Sequence, residues 1–111
     1  IIKTLEGAAE LLRRRGWTQG ADARDEEGNA LVFMGRGLLT AHAYCVAGAI
    51  YAVTRENVWG VAPRAAAATE AVSETVGERV VVFNDTPGRR RSEVLLALRK
   101  TIKRLQRGAR A

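Results

Sequence analysis

Apolar residues recur at helical spacing in several stretches of the chain and cluster at strand length in two others. From Thr4 to Arg15, Leu5, Ala9 and Leu12 make one face, flanked by Ala8 and Leu11. Thr4 is the expected N-cap, and Glu6 suits the first turn. Arg13, Arg14 and Arg15 suit the last turn, where unpaired carbonyls attract cations, so the triplet needs no binding role. Gly16 fits the left-handed position that closes a helix, with Trp17 folding back toward Leu12.

Beyond it, Asp22–Arg24 and Ala30–Phe33 read as hairpin arms around the polar loop Asp25–Asn29, and Gly35-Arg36-Gly37 ends the second arm. Thr40 to Val53 reads as a helix capped by Thr40. No Asp, Glu, Lys or Arg occurs from Ala41 to Val53, so this helix should be buried all round, and Ala43, Ala47 and Gly48 let neighbours approach closely. Asn57–Gly60 is a turn. Pro63 suits the first position of a helix running to about Val76, whose face is mostly Ala with Val72 and Val76, and Gly77 closes it. Val80–Phe83 has strand propensity and is expected to pair with Leu31–Phe33. Asn84 to Gly88 is a turn. A last helix follows from Arg91 to about Gln106, with Leu95, Leu98, Ile102 and Leu105 inward and Arg99, Lys100, Lys103, Arg104 and Arg107 outward. Leu96 sits near the basic face, and Gly108–Ala111 should fray. The expected fold is mainly α: a single domain over residues 1–111, with three to four helices around the buried 40–53 helix and a small two-stranded β element.

Composition adds exclusions. The 111 residues are 47% hydrophobic and 27% charged, ordinary for a globular domain. One Cys and one His exclude a disulfide framework and a Cys/His zinc cage within one chain. No apolar run reaches the roughly 18 residues of a membrane helix. The lone Cys and the absence of a signal peptide suggest the cytoplasm. The chain opens Ile1-Ile2-Lys3 without Met, which suggests that a preceding segment is missing. Charge is uneven: residues 1–85 carry 9 Lys/Arg against 11 Asp/Glu, and residues 86–111 carry 9 against one, so the whole net charge of +6 comes from the last element. Such a block attracts nucleic acid, anionic lipid or an acidic protein face; the plainer reading is a solvated helix face with no partner.

Two clusters invite chemical readings. His42 and Cys45 are three apart, and on one helix they would share a face, where the imidazole could lower the thiol pKa, with Asn84 or Asp85 orienting it. The plainer reading is a small buried residue one turn from a polar one. Asp85 to Arg91 could hold an anion: a Pro-Gly turn exposes N–H groups, and Arg89, Arg90 and Arg91 stand beside a helix N-terminus. Three cations there oppose the helix dipole, which points to an anionic partner, although the spacing matches no phosphate loop. The chain has few aromatics for stacking on single strands and lacks zinc-finger, RNP and KH motifs.

Trp17-Thr-Gln-Gly20, Ala23-Arg24-Asp25, Cys45-Val-Ala-Gly-Ala-Ile50, Asn84-Asp85-Thr-Pro-Gly-Arg89 and Ser92-Glu93-Val94 together resemble a family of small uncharacterised proteins from actinobacteria, rhizobia and some of their phages. The resemblance spans most of residues 5–105 and implies shape rather than activity. The family commonly has an aromatic where Asp22 stands, Trp where Tyr44 stands, and a capping Thr where Arg90 stands. Arg90 cannot accept the capping bond, so that duty passes to Asp85 or Thr86, or the helix starts later.

The functional expectation is a non-enzymatic binding protein, bacterial or phage-borne, that meets an acidic protein or nucleic acid through Arg89, Arg90, Arg91, Arg99, Lys100, Lys103, Arg104 and Arg107. It uses no cofactor, metal or membrane. The alternatives are a Cys-dependent enzyme using Cys45 with His42, and an oligomerising structural protein.

Overall fold

A computed structural model describes residues 1–31, 40–56 and 61–110. Among them are five helices, α1 (Ile2–Arg14), α2 (Val46–Thr54), α3 (Pro63–Val76), α4 (Val80–Asp85) and α5 (Arg91–Arg110). Three two-residue strands accompany them, β1 (Ala23–Arg24), β2 (Ala30–Leu31) and β3 (Ala43–Tyr44). The architecture is mainly α with a small sheet, as expected, but with one helix and one strand more than the pattern suggested.

α1 buries Leu5, Ala8 and Leu12. It begins at Ile2, so Thr4 lies inside the helix and does not cap it. Arg13 and Arg14 occupy the last turn, and Gly16 takes a positive φ of 138° just beyond. Gly7 lets α1 ride close on α2: a Cβ there would lie 3.0 Å from a Val53 methyl.

The hairpin forms with Ala23 opposite Leu31 and Arg24 opposite Ala30. Asp25 builds its turn, accepting from the N–H groups of Glu27 and Asn29 through Oδ1. Its side-chain and backbone bonds from Asn29 hold its carboxyl below the usual range. The second arm past Leu31, the Gly35-Arg36-Gly37 stop and the Asn57–Gly60 turn lie outside the described residues.

The predicted 40–53 helix is shorter at its front. Ala43 and Tyr44 pair antiparallel with β1, giving the order β2-β1-β3, and the helix starts only at Val46. Cys45, not Thr40, is the N-cap, and its Sγ accepts from Gly48 N at 3.2 Å. A charge-free run suits a buried strand and a buried helix equally, so apolarity alone does not locate the boundary between them. The helical part is as enclosed as expected, with Val46 through Ile50, Ala52 and Thr54 all buried. α2 packs against α1, α3 and α4, and α5 closes over α1 and α3.

α3 starts on Pro63 and ends on Gly77 at φ 77°, as read from the sequence. Glu56 caps it from outside, accepting from Ala65 N at 2.7 Å and Arg64 N at 3.3 Å. Val80–Phe83 is not a strand and pairs with nothing in the sheet. It forms most of α4, with Val80, Phe83 and Asn84 buried at helical spacing while Val81 and Val82 stay half exposed. Strand propensity loses because only a helix turns both Phe83 and Asn84 inward. α5 runs to Arg110, so the predicted frayed tail is helical from Gly108 to Arg110, and Ala111 lies outside the described residues.

Gly48 fixes the distance between α2 and the 20–22 loop. A Cβ there would overlap the carbonyl oxygen of Asp22 and lie 2.8 Å from its carbon. In an exposed helix, Gly→Ala stabilises by about 1 kcal/mol. Here we expect Gly48→Ala to destabilise by about 1–3 kcal/mol through overpacking, measured by urea or thermal unfolding. An unchanged or raised Tm would show that this approach does not constrain the fold.

Candidate functional site

Three of the segments that carry the resemblance, 17–20, 45–50 and 84–89, meet at one junction, centred on Asn84 at the end of α4. Its side chain is 1% exposed. Oδ1 accepts from the Trp17 indole N–H at 2.7 Å and from Val46 N at 3.0 Å. Nδ2 donates to Thr18 O at 3.1 Å and to Asp85 Oδ1 at 2.9 Å. A carboxamide has two donors and room for two acceptor bonds, and all four are used. Asp85 Oδ1 also accepts from Gly20 N at 3.0 Å.

The last carbonyls of a short helix need partners, and side chains supply them here. Thr86 Oγ1 donates to Val82 O, Arg89 Nε to Phe83 O, and Gln19 Nε2 to Asn84 O and to Thr86 O. The Arg89 guanidinium also lies 3.9 Å from the centre of the Phe83 ring. Arg24 ties the neighbouring loop, donating to Thr18 Oγ1, Gln19 O and Gly28 O. These motif residues hold α4, the hairpin and the front of α2 together. The sequence reading assigned Asn84 and Asp85 to a turn and missed this role; a polar Asn placed beside Val80 and Phe83 at helical spacing was the available signal.

Cys45 faces a cavity of about 170 Å³ bounded by the Gly20–Asp22 loop, Val81 and Asp85. Burial pushes the thiol up to about 11. The N–H groups of Gly48 and Ala47 act against this, and the charges of Asp22 and Asp85 act with it. Burial, and then the Asp85 charge, also raise the Asp22 carboxyl. His42 does not join Cys45. His42 lies at a bend before β3 and is exposed, whereas Cys45 caps α2 and is buried. Among the described residues, no group of three or more His, Cys, Asp or Glu is placed to hold a metal ion. No described helix is long and apolar enough to cross a membrane.

The arginines before α5 do not form a free anion cradle. Arg89 is committed to Phe83 and lies 3.7 Å from Glu93. Glu93 reaches back to Arg90 N at 2.8 Å, so the acidic half of a capping box closes the helix start. Neither side chain proposed for that duty performs it: Asp85 is held by Gly20 and Asn84, and Thr86 by Val82. Arg91 is exposed at the first position.

Along α5, Val94, Ala97, Leu98 and Thr101 are buried and Leu95, Ile102 and Leu105 half buried, so the predicted apolar face docks on the body. Arg104 departs from the predicted outward group. It turns onto α3, donating to Ala71 O at 2.7 Å and Thr75 Oγ1 at 3.2 Å and pairing with Glu74. Arg99, Lys100, Lys103 and Arg107 are exposed and make no hydrogen bond or ion pair with the described residues. Leu96, Lys100, Lys103 and Arg107 follow one another at steps of four, three and four, which is a straight stripe on a helix.

A small, mainly helical protein with motif residues committed to structure and one uncommitted basic helix face is the class that this geometry defines. The chain belongs to the family of unknown function DUF6197, whose model matches residues 1–104. Neither the curated proteins nor the solved structures contain a match to it.

Two measurements test the junction. Asn84→Ala strands the Trp17 N–H, Val46 N–H and Thr18 C=O, and should cost about 1–3 kcal/mol or more in urea unfolding, the penalty of buried polar groups left unpaired. A loss below about 0.5 kcal/mol would show that these groups find other partners. Cys45 should react with iodoacetamide at pH 8 at least tenfold more slowly in the folded protein than in the denatured one, as expected of a buried, protonated thiol. Folded-state labelling at the free-thiol rate, with a midpoint below ~8.5, would instead identify an activated nucleophile.

Proposed function

We propose that this protein is a non-enzymatic binding module that presents the outer face of α5 to an acidic partner, in the cytoplasm of a bacterium or in a phage-infected cell. The observation that carries the reading is the division of the basic residues. Arg24, Arg64, Arg89 and Arg104 donate to main-chain carbonyls of the body. Arg99, Lys100, Lys103 and Arg107 share one side of α5 and engage none of the described residues. Unneutralised cations on one rigid face steer and hold an anionic surface. A protein surface fits better than nucleic acid, because residues 1–85 carry a net charge of −2, which would repel a backbone extending past α5. The enzyme alternative is disfavoured by a thiol whose burial raises its pKa and by a histidine that is exposed while the thiol is buried.

The test is a triple reversal, Lys100→Glu, Lys103→Glu and Arg107→Glu, titrated by fluorescence anisotropy against an oligoglutamate and a duplex DNA at rising salt. The wild type should bind the acidic peptide, and the reversal should abolish binding while leaving Tm nearly unchanged, since exposed charges contribute at most about 1 kcal/mol. Tighter, steeply salt-dependent binding of DNA that is lost in the same variant would move the partner to nucleic acid. Binding unaffected by the reversal, or no binding to either probe, would overturn the reading.

A further inference from the structure

We infer that the partner is an acidic amphipathic helix of another protein, seated with an apolar side chain over the groove at the start of α5 and with its carboxylates along the cationic stripe. This rests on the reading of α5 as a binding face and specifies what that face recognises.

The stripe is not purely electrostatic. Its first member is Leu96, 46% exposed, placed one turn before Lys100 on the same line. An isolated surface Leu needs no explanation. This one stands at the lip of a groove of about 330 Å³ between α3, α4 and α5, whose apolar lining is Val76, Phe83, Leu96 and Ala97. Lys100 lines the same groove, so its apolar and cationic parts are continuous. From Leu96 to Arg107 the stripe is about 16 Å long at 1.5 Å per residue, close to three helical turns. A helix laid along it places one apolar residue at Leu96 and carboxylates opposite Lys100, Lys103 and Arg107, at i, i+4, i+7 and i+11, which extends by one turn the spacing used in helix–groove recognition.

Charge at the groove argues against a phosphate polymer. Glu78 and Glu93 also line it, so a nucleic-acid backbone entering there would meet carboxylates and leave the apolar lining unfilled. An apolar side chain on a helix covers that lining without bringing negative charge to either glutamate. Glu93 is already engaged by Arg90 N and lies close to the Arg89 guanidinium, which leaves Lys100 as the groove cation facing outward without a partner.

The experiment compares two synthetic peptides of equal charge, both Glu-rich and helix-forming. One carries Leu at two positions four apart, and the other carries Gln there. Wild-type protein should bind the Leu peptide at least tenfold more tightly than the Gln peptide, by anisotropy or calorimetry, and the Leu peptide should gain helical circular dichroism on binding. Leu96→Gln, a polar residue with good helix propensity at an exposed site, should remove that preference, leaving Tm and affinity for the Gln peptide unchanged. Equal affinity of the wild type for both peptides, or a preference that survives Leu96→Gln, overturns the helix proposal while the basic-face reading stands. Duplex DNA binding more tightly than either peptide overturns the helix proposal too. Peptide binding that persists in the triple reversal overturns both readings.

Discussion

One side-chain carboxamide joins the parts of this fold that are far apart in sequence. Asn84 satisfies the first N–H of α2, the indole of Trp17 and the carbonyl of Thr18, and orders Asp85, which in turn holds Gly20. A buried amide in such a place stabilises only when every valence is filled, because each empty one costs its full desolvation. The geometry therefore leaves little freedom to its neighbours. α4 must be helical to aim Asn84 inward, α2 must begin at Val46 to present its N–H, and residue 48 must lack a Cβ so that the 20–22 loop can pass. The sheet follows from the same constraint. With α2 starting late, Ala43 and Tyr44 are free to pair with β1, and Tyr44 also exchanges backbone bonds with Gly16 and Thr18.

Much of this was legible in the residues. Pro63 and Gly77 marked both ends of α3, Asp25–Asn29 marked the hairpin turn, and the charge-free run after Thr40 marked the buried element at the centre. These features act locally, through φ preference, short-range hydrogen bonds and burial. What could not be read was set by distant partners. Val80–Phe83 looks like a strand by propensity and becomes a helix because Asn84 has partners across the molecule. The front of the central helix looks helical by apolarity and becomes β3 because Arg24 and Ala23 lie alongside it. Glu56 caps a helix that begins seven residues later in the chain. None of these pairings leaves a periodic trace.

The same division explains the basic residues. In sequence, Arg104 cannot be told from Arg107, since both stand on the polar side of an amphipathic helix. In the fold, Arg104 meets Ala71 O and Thr75, because α3, built from alanines, runs close enough to α5 for a guanidinium to reach its carbonyls. Arg107, one turn on, has no such neighbour among the described residues. Arg89 likewise looks like part of an anion-binding triplet and serves as a cap for α4. Subtracting these committed arginines leaves a narrower cationic surface than the sequence suggested, within which Lys100, Lys103 and Arg107 line up in one stripe with Leu96.

The fate of the thiol follows from the junction as well. A cysteine at a helix N-cap is ordinarily a favourable site for a thiolate, because unpaired N–H groups and the helix dipole stabilise negative charge. Here the Val46 N–H is taken by Asn84, and the carboxylates of Asp22 and Asp85 line the same cavity as the sulfur and oppose its ionisation. Burial removes the remaining solvation. The arrangement that secures the front of α2 thus also suppresses ionisation of the lone cysteine. The residues that make the fold specific are engaged with one another, and the binding role we propose therefore rests on the exposed face of α5, whose basic side chains engage none of the described residues.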